Sequence, residues 1–254
     1  MTKLWTWAAA SCRGTSHERT GTRLQDAHAC GVVLGDQPIL IATVCDGAGS
    51  ASHGGHGASL ACRSFTRAAL GALRESRELP TQARVEYWTD QVRDQIGMVA
   101  IRRGLTARDF ASTLVSVISD GERTVISHIG DGCAVLRCRD TKEWVAPSWP
   151  EQGQYASTTF FLTDEIDVHL RVTPVDCEID AIAVFSDGIE RLVLDLAAKR
   201  PSSTYFDGVI APIMASVAAG RDVVLCDQLK RYLVTPAVNA RTDDDKTLVL
   251  AGLK

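Results

Sequence analysis

The chain has 254 residues and a formal net charge of −4, with 45% hydrophobic and 23% charged residues. That length buries a large core without covalent staples, and the acidic balance excludes a broad nucleic-acid surface, which would be basic. No apolar run approaches the ~20 residues of a membrane span, and the eight cysteines are scattered without a Cys-x-x-Cys pair, which argues against zinc or a disulfide framework and for a reducing, cytoplasmic setting.

The opening stretch, MTKLWTWAAASC, reads as a first strand over 4–11. It is not read as a leader, because its apolar part is short, is broken by Thr6 and follows no basic cluster. Short runs rich in Val, Ile, Thr, Ala and Cys at 27–34 and 38–45 continue the strands. Two helices follow. Ala58, Cys62, Phe65, Ala69 and Leu73 recur at helical spacing, as do Val85, Trp88, Val92, Ile96 and Val99, and each set makes an apolar stripe for core packing. Strands are then expected over 111–119, 123–130, 133–138, 158–162, 168–173 and 180–186. Between them, 146–157 has two prolines and a glycine and reads as a long loop. Helices over 189–199, 207–218 and 222–233 and a last strand over 247–252 complete the chain. Strands and helices do not alternate regularly, so the class is an α+β sandwich rather than a doubly wound sheet. No repeat or linker divides it, and residues 1–254 read as one domain.

Asp-Gly occurs five times, at 46, 120, 131, 187 and 207. The plain reading of this dipeptide is a tight turn. It suits Asp120-Gly121, between two alternating runs, and Asp207-Gly208 is expected to open a helix. The other three end apolar runs: ILIATVC before Asp46, TVISHIG before Asp131 and AIAVFS before Asp187. Asp243, Asp244 and Asp245 immediately precede the final strand, and Asp26 precedes the second. If the strand ends converge, these carboxylates meet. Close carboxylates do not all stay ionised without a cation, and an oxygen-only set favours Mg²⁺ or Mn²⁺. Unrelated turns at solvated strand ends are the alternative.

In this order, CDGAGS, GDG, FSDGIERL and DDKTLVL resemble the metal-dependent protein phosphatase family, the protein phosphatase 2C family. GTSHERTGTRLQDAH and the segment around WPEQGQYASTTFFL resemble its bacterial subgroup. The resemblance implies a four-layer α-β-β-α sandwich of two mainly antiparallel sheets flanked by helices. It implies a centre of two Mn²⁺ or Mg²⁺ ions, with a third, weaker ion in some members. It implies hydrolysis of phosphoserine and phosphothreonine on proteins, with a Ser/Thr kinase as the opposing partner. Carried over by residue, Asp46 bridges both ions and Gly47 offers its carbonyl. Asp187 and Asp244 hold one ion, Asp26 serves the other, and Asp131 helps with the third. Ions roughly 3.5–4 Å apart make hydroxide available near neutral pH for in-line attack on phosphorus, with no phosphoenzyme.

The chain departs from the family pattern at several positions. Gln25 stands where many members have Glu. Ala48 stands where several have a proton-donating His, which makes His53 and His56 the candidate general acids. Gly21 stands where an arginine often holds the phosphate. Arg19 and His17 are the first candidates for that task, with Arg13 and Arg23 behind them; a guanidinium fork suits phosphate. Arg191 takes the place of a further Asp at the third ion. The losses at Ala48 and Gly21 keep a rival in view, a catalytically inactive phosphoprotein-binding module. A small-molecule phosphoesterase using the same centre is a third reading.

Overall fold

The computed structural model describes residues 3–151, 159–165 and 168–254. Its strands are β1 (Trp5–Cys12), β2 (Ala27–Val33), β3 (Ile39–Cys45), β4 (Leu114–Ser119), β5 (Thr124–Ile129), β6 (Cys133–Cys138), β7 (Trp144–Ser148), β8 (Arg171–Val175), β9 (Ile179–Phe185), β10 (Leu194–Asp195), β11 (Arg200–Pro201), β12 (Gly220–Arg221) and β13 (Lys246–Leu253). Its helices are α1 (Thr15–Thr20), α2 (Gly54–Ser76), α3 (Gln82–Arg102), α4 (Asp187–Val193), α5 (Ser203–Ala215), α6 (Val223–Leu233) and α7 (Pro236–Asn239), with a 3₁₀ turn at Ala107–Phe110.

Two sheets form the centre. One has the order β2-β3-β4-β5-β8 and the other β12-β1-β13-β9-β6-β7. Apart from the short parallel contact of β12, their pairings are antiparallel. Three apolar layers hold the stack together. Leu40, Ala42, Val44, Val115, Val117, Ile126, Ile182, Val184 and Val249 fill the seam between the sheets. Phe65, Leu73, Trp88, Val92 and Ile96 pack α2 and α3 on the outer face of the first sheet. Phe206, Ile210, Ile213, Leu229 and Leu233 pack α5 and α6 on the second. Side chains such as Phe65 and Leu73 each contribute roughly 1.5–3 kcal/mol when fully buried. The result is the expected α-β-β-α sandwich.

Some elements differ from expectation, for local reasons. The helix expected over 189–199 stops at Val193, and β10 and β11 form a small hairpin instead. Asp195 Oδ1 accepts from Ala198 N at 3.0 Å, a side-chain bond that competes with helix. The expected loop over 146–157 begins inside β7, at the outer edge of its sheet, where Pro147 costs no ladder partner; 152–157 lie outside the described residues. The strand expected over 158–162 is replaced at 160–162 by an irregular segment in which Phe161 N donates to Asp164 Oδ2 at 2.8 Å; Thr158 lies outside the described residues. Asp207 does not open its helix but sits one turn inside α5, accepting from Trp144 Nε1 at 2.8 Å. Asp120 closes the β4–β5 hairpin as expected, its Oδ1 accepting from Glu122 N and Arg123 N at 2.9 and 2.7 Å.

Candidate metal centre and cleft

The carboxylates stand at strand ends because of register. Ala27 pairs with Cys45, so Asp26, just before β2, and Asp46, just after β3, sit side by side at one end of the first sheet. In the second sheet Phe185, the last residue of β9, pairs with Cys133 at the start of β6 and with Leu248 near the start of β13. Asp187, Asp131 and Asp244 are thereby brought to one edge. Ser186 joins the two groups across the seam. Its hydroxyl donates to Asp26 Oδ2 at 2.6 Å and accepts from Thr247 N at 3.1 Å.

The first sheet holds its acids firmly. Asp46 N donates to Thr113 Oγ1 at 3.0 Å, and Asp46 O accepts from Thr113 N at 2.8 Å. Gly47 is required where it stands, since a Cβ there would lie 2.3 Å from the backbone carbon of Gly54. Gly188 is equally confined, with Asp245 O only 1.9 Å from any added Cβ.

The Asp46 carboxyl lies near those of both Asp26 and Asp187. Burial raises the Asp46 carboxyl well above the usual range, and the Asp26 and Asp187 charges raise it further. Burial pushes Asp26 up to about 6, against the opposing hydrogen bonds from Ser186 and Asp46. Burial, then the Asp131 and Asp244 charges, push Asp187 up to about 7. Asp131 is raised chiefly by burial, and Glu190 by burial and then by Asp131. One oxygen of the cluster, Asp26 Oδ1, is buried with no hydrogen-bond partner. An all-oxygen set of this kind, crowded and under-satisfied, suits a hard divalent cation. Among the described residues no three His, Cys, Asp or Glu side chains are grouped closely enough to hold an ion as they stand.

A cleft of about 1150 Å³ opens over the second-sheet acids, with Asp131, Asp187, Glu190 and Asp244 among its lining residues. The other sequence candidates do not themselves line it. His53 caps α2 and His56 lies in its first turn, their rings 5.2 and 5.6 Å from Phe110, outside the cleft lining. Arg19 forms an exposed ion pair with Asp243 at 2.8 Å. His17 Nδ1 lies 2.9 Å from Asp245 Oδ1. Arg13 Nη2 donates to His17 O at 2.6 Å, while its Nε is buried and unpartnered. Gly21 ends α1 at φ 75°, a left-handed position that an arginine would adopt only with strain.

Sequence reasoning named Asp245 only with its two neighbours and gave it no role of its own. It is 2% exposed and accepts from Gly14 N and Gln25 N, both at 2.6 Å. The one available signal was its place in a run of three aspartates, which does not say which of them points inward. Ser186 was overlooked, although it directly precedes Asp187-Gly188.

A family model described as Protein phosphatase 2C matches residues 13–233. The chain belongs to the protein phosphatase 2C family. Serine/threonine-protein phosphatase 3 of Escherichia coli (strain K12) is 36% identical over 251 residues, which cover 97% of this chain and 98% of that protein. Among solved structures, PppA, described as a key regulatory component of T6SS in Pseudomonas aeruginosa, superposes with a TM-score of 0.65 at 16% identity, covering 99% of this chain and 100% of that one. The catalytic domain of the serine threonine protein phosphatase PstP, in complex with 2 manganese ions, gives 0.56 at 17% identity, covering 99% of both chains. These likenesses agree with the sandwich described above. The family match stops short of Asp244, which the strand register alone brings to the site.

Proposed function

We propose that this protein phosphatase 2C member is a metal-dependent protein serine/threonine phosphatase, with 1–254 acting as one catalytic domain. Support comes from the 36% identical phosphatase, which is matched over 97% of this chain. The observation that carries the reading is the junction of Asp26, Asp46 and Asp187 across two sheets, with an unpartnered oxygen on Asp26. Asp26, Asp46, the Gly47 carbonyl, Asp187 and Asp244 are the residues we assign to two Mn²⁺ or Mg²⁺ ions, with Asp131 beside a weaker third. When bound, such ions supply a hydroxide nucleophile near neutral pH and offset charge on the phosphoryl oxygens. The chain's own part is positional. Thr113 fixes the backbone of Asp46, and Ser186 orients Asp26 by donating to one oxygen, which leaves the other for an ion. Partners on this reading are phosphoserine and phosphothreonine proteins and an opposing kinase. No helix among the described residues is long and apolar enough to cross a membrane; with all eight thiols free, we assign the protein to the cytoplasm.

The test is phosphate release from a phosphothreonine peptide, with Mn²⁺ and with EDTA, by the native protein and by Asp46→Asn. The expected result is ion-dependent release that falls by at least about 100-fold in the variant, as loss of a main electrostatic contributor does. Release that ignores EDTA, or an Asp46→Asn variant of native activity, would sink the proposal.

A further inference from the structure

The acids of the centre are accompanied, on the rim of the same cleft, by arginines. Arg108, Arg191 and Arg241 all line it and all are exposed. Some guanidinium groups of the chain are held in ion pairs, such as Arg137 with Asp180 at 2.7 Å, Arg171 with Glu151 at 3.2 Å and Arg19 with Asp243 at 2.8 Å. Among the described residues Arg191 and Arg241 form no ion pair. Their mutual contact is Arg241 Nη2 donating to Arg191 O at 3.2 Å, which places the two side by side. Arg191 lies four residues after Asp187 on α4, one turn or about 6 Å along the same face. Arg241 lies three residues before Asp244. Both therefore border residues of the centre, and Arg191 also lies close enough to Glu190 for its charge to favour that carboxylate.

Of the acids lining the cleft, two have other engagements, whereas Glu190 lies near Arg191. Asp243 is paired with Arg19, and Asp164 accepts from Phe161 N. A peptide extended through the cleft advances about 3.3–3.6 Å per residue, so a group one or two residues from the phosphorylated side chain falls within reach of guanidiniums placed this way.

We propose that Arg191 and Arg241 form a subsite for an anionic group flanking the phosphorylated residue. The substrates so defined are phosphopeptides with a carboxylate or a second phosphate one or two positions from the phosphate being removed. The proposal rests on the phosphatase reading above.

The experiment compares kcat/KM for phosphothreonine peptides that differ only in the flanking residue: Ala, Glu, phosphoserine or Lys. Two solvent-exposed charge contacts predict a preference of about three- to tenfold for the Glu peptide over the Ala peptide, carried mainly in KM. The phosphoserine peptide distinguishes the second source of negative charge. In Arg191→Ala/Arg241→Ala the preference disappears, and in Arg191→Glu/Arg241→Glu it turns toward the Lys peptide. A native ratio of one, or a ratio unchanged in the double variants, overturns the subsite. If the native protein with Mn²⁺ turns over neither these peptides nor p-nitrophenyl phosphate, the phosphatase reading fails instead. Fluorescence anisotropy of the labelled peptides then decides the subsite alone, and equal affinity of native and double-alanine proteins for the Glu peptide overturns it.

Discussion

Replacing Asp245 by Ala removes a tie rather than a ligand. The carboxylate, 2% exposed, accepts two backbone N–H groups at 2.6 Å, one from Gly14 before α1 and one from Gln25 before β2. In the alanine variant both donors lose their acceptor. An orphaned donor costs about 1–3 kcal/mol, so the expected loss is about 4 kcal/mol. For a chain of this length each kcal/mol moves Tm by about 2–4 °C, which predicts a fall of about 8–16 °C. The assay is thermal and urea unfolding in EDTA, with Asp243→Ala as the neighbouring control. The Asp243 carboxylate is 61% exposed and meets an Arg19 that is 66% exposed, a pair worth at most about 1 kcal/mol. An Asp245→Ala protein within about 1 kcal/mol of native would refute the assignment of Asp245 as the tie between β13 and the N-terminal segment.

Gly188→Ala drives a Cβ to 1.9 Å from Asp245 O, an overpacking that typically costs about 1–3 kcal/mol. Because the displaced backbone carries Asp187 on one side and Asp244 on the other, calorimetry should show weaker Mn²⁺ binding as well as lower stability; native affinity would contradict this. His128 is held down to about 3 by burial and then by Arg171, against about 6.5 in an unfolded chain. The fold keeps it neutral while the unfolded chain takes up a proton, so its contribution is complete above pH 6.5 and is lost as pH falls toward 3. The slope is about 1.4 kcal/mol per pH unit, or about 2 kcal/mol between pH 7 and pH 5. Asp26 and Asp187, raised to about 6 and about 7, act in the opposite direction over this range, so the His128 part is read as a difference: between pH 7 and pH 5 the native protein should lose about 2 kcal/mol more, or gain about 2 kcal/mol less, than His128→Asn by urea unfolding; equal changes in the two proteins would reject the assignment.

Several acids of the proposed centre were legible because a carboxylate that ends an apolar strand breaks a simple pattern, as Asp46, Asp131 and Asp187 do, while Asp26 stands just ahead of one. Their convergence was not legible, since it depends on pairing partners such as Phe185 with Leu248, which lie far apart in the chain. β7 was hidden because Pro147 reads as a loop residue, and its tolerance there comes from an edge position that only the assembled sheet defines. The helix that stops at Val193 was lost to a side-chain turn at Asp195, a local competition that apolar periodicity does not register. Asp245 looked like its two neighbours, because inward and outward positions in a short polar run carry no signature.

The seam between the sheets has a thermodynamic consequence. Asp26 and Asp46 belong to one sheet, and Asp187 and Asp244 to the other, so any cation held by both pairs acts as a rivet through the sandwich. By mass action such a cation raises stability in proportion to the logarithm of its concentration, and the linkage is reciprocal. On the proposed reading, methyl groups at Val44, Val117 or Val184, buried in the seam, would then help set ion affinity although none of them is polar. A loosened seam would first show itself as a weaker metal site.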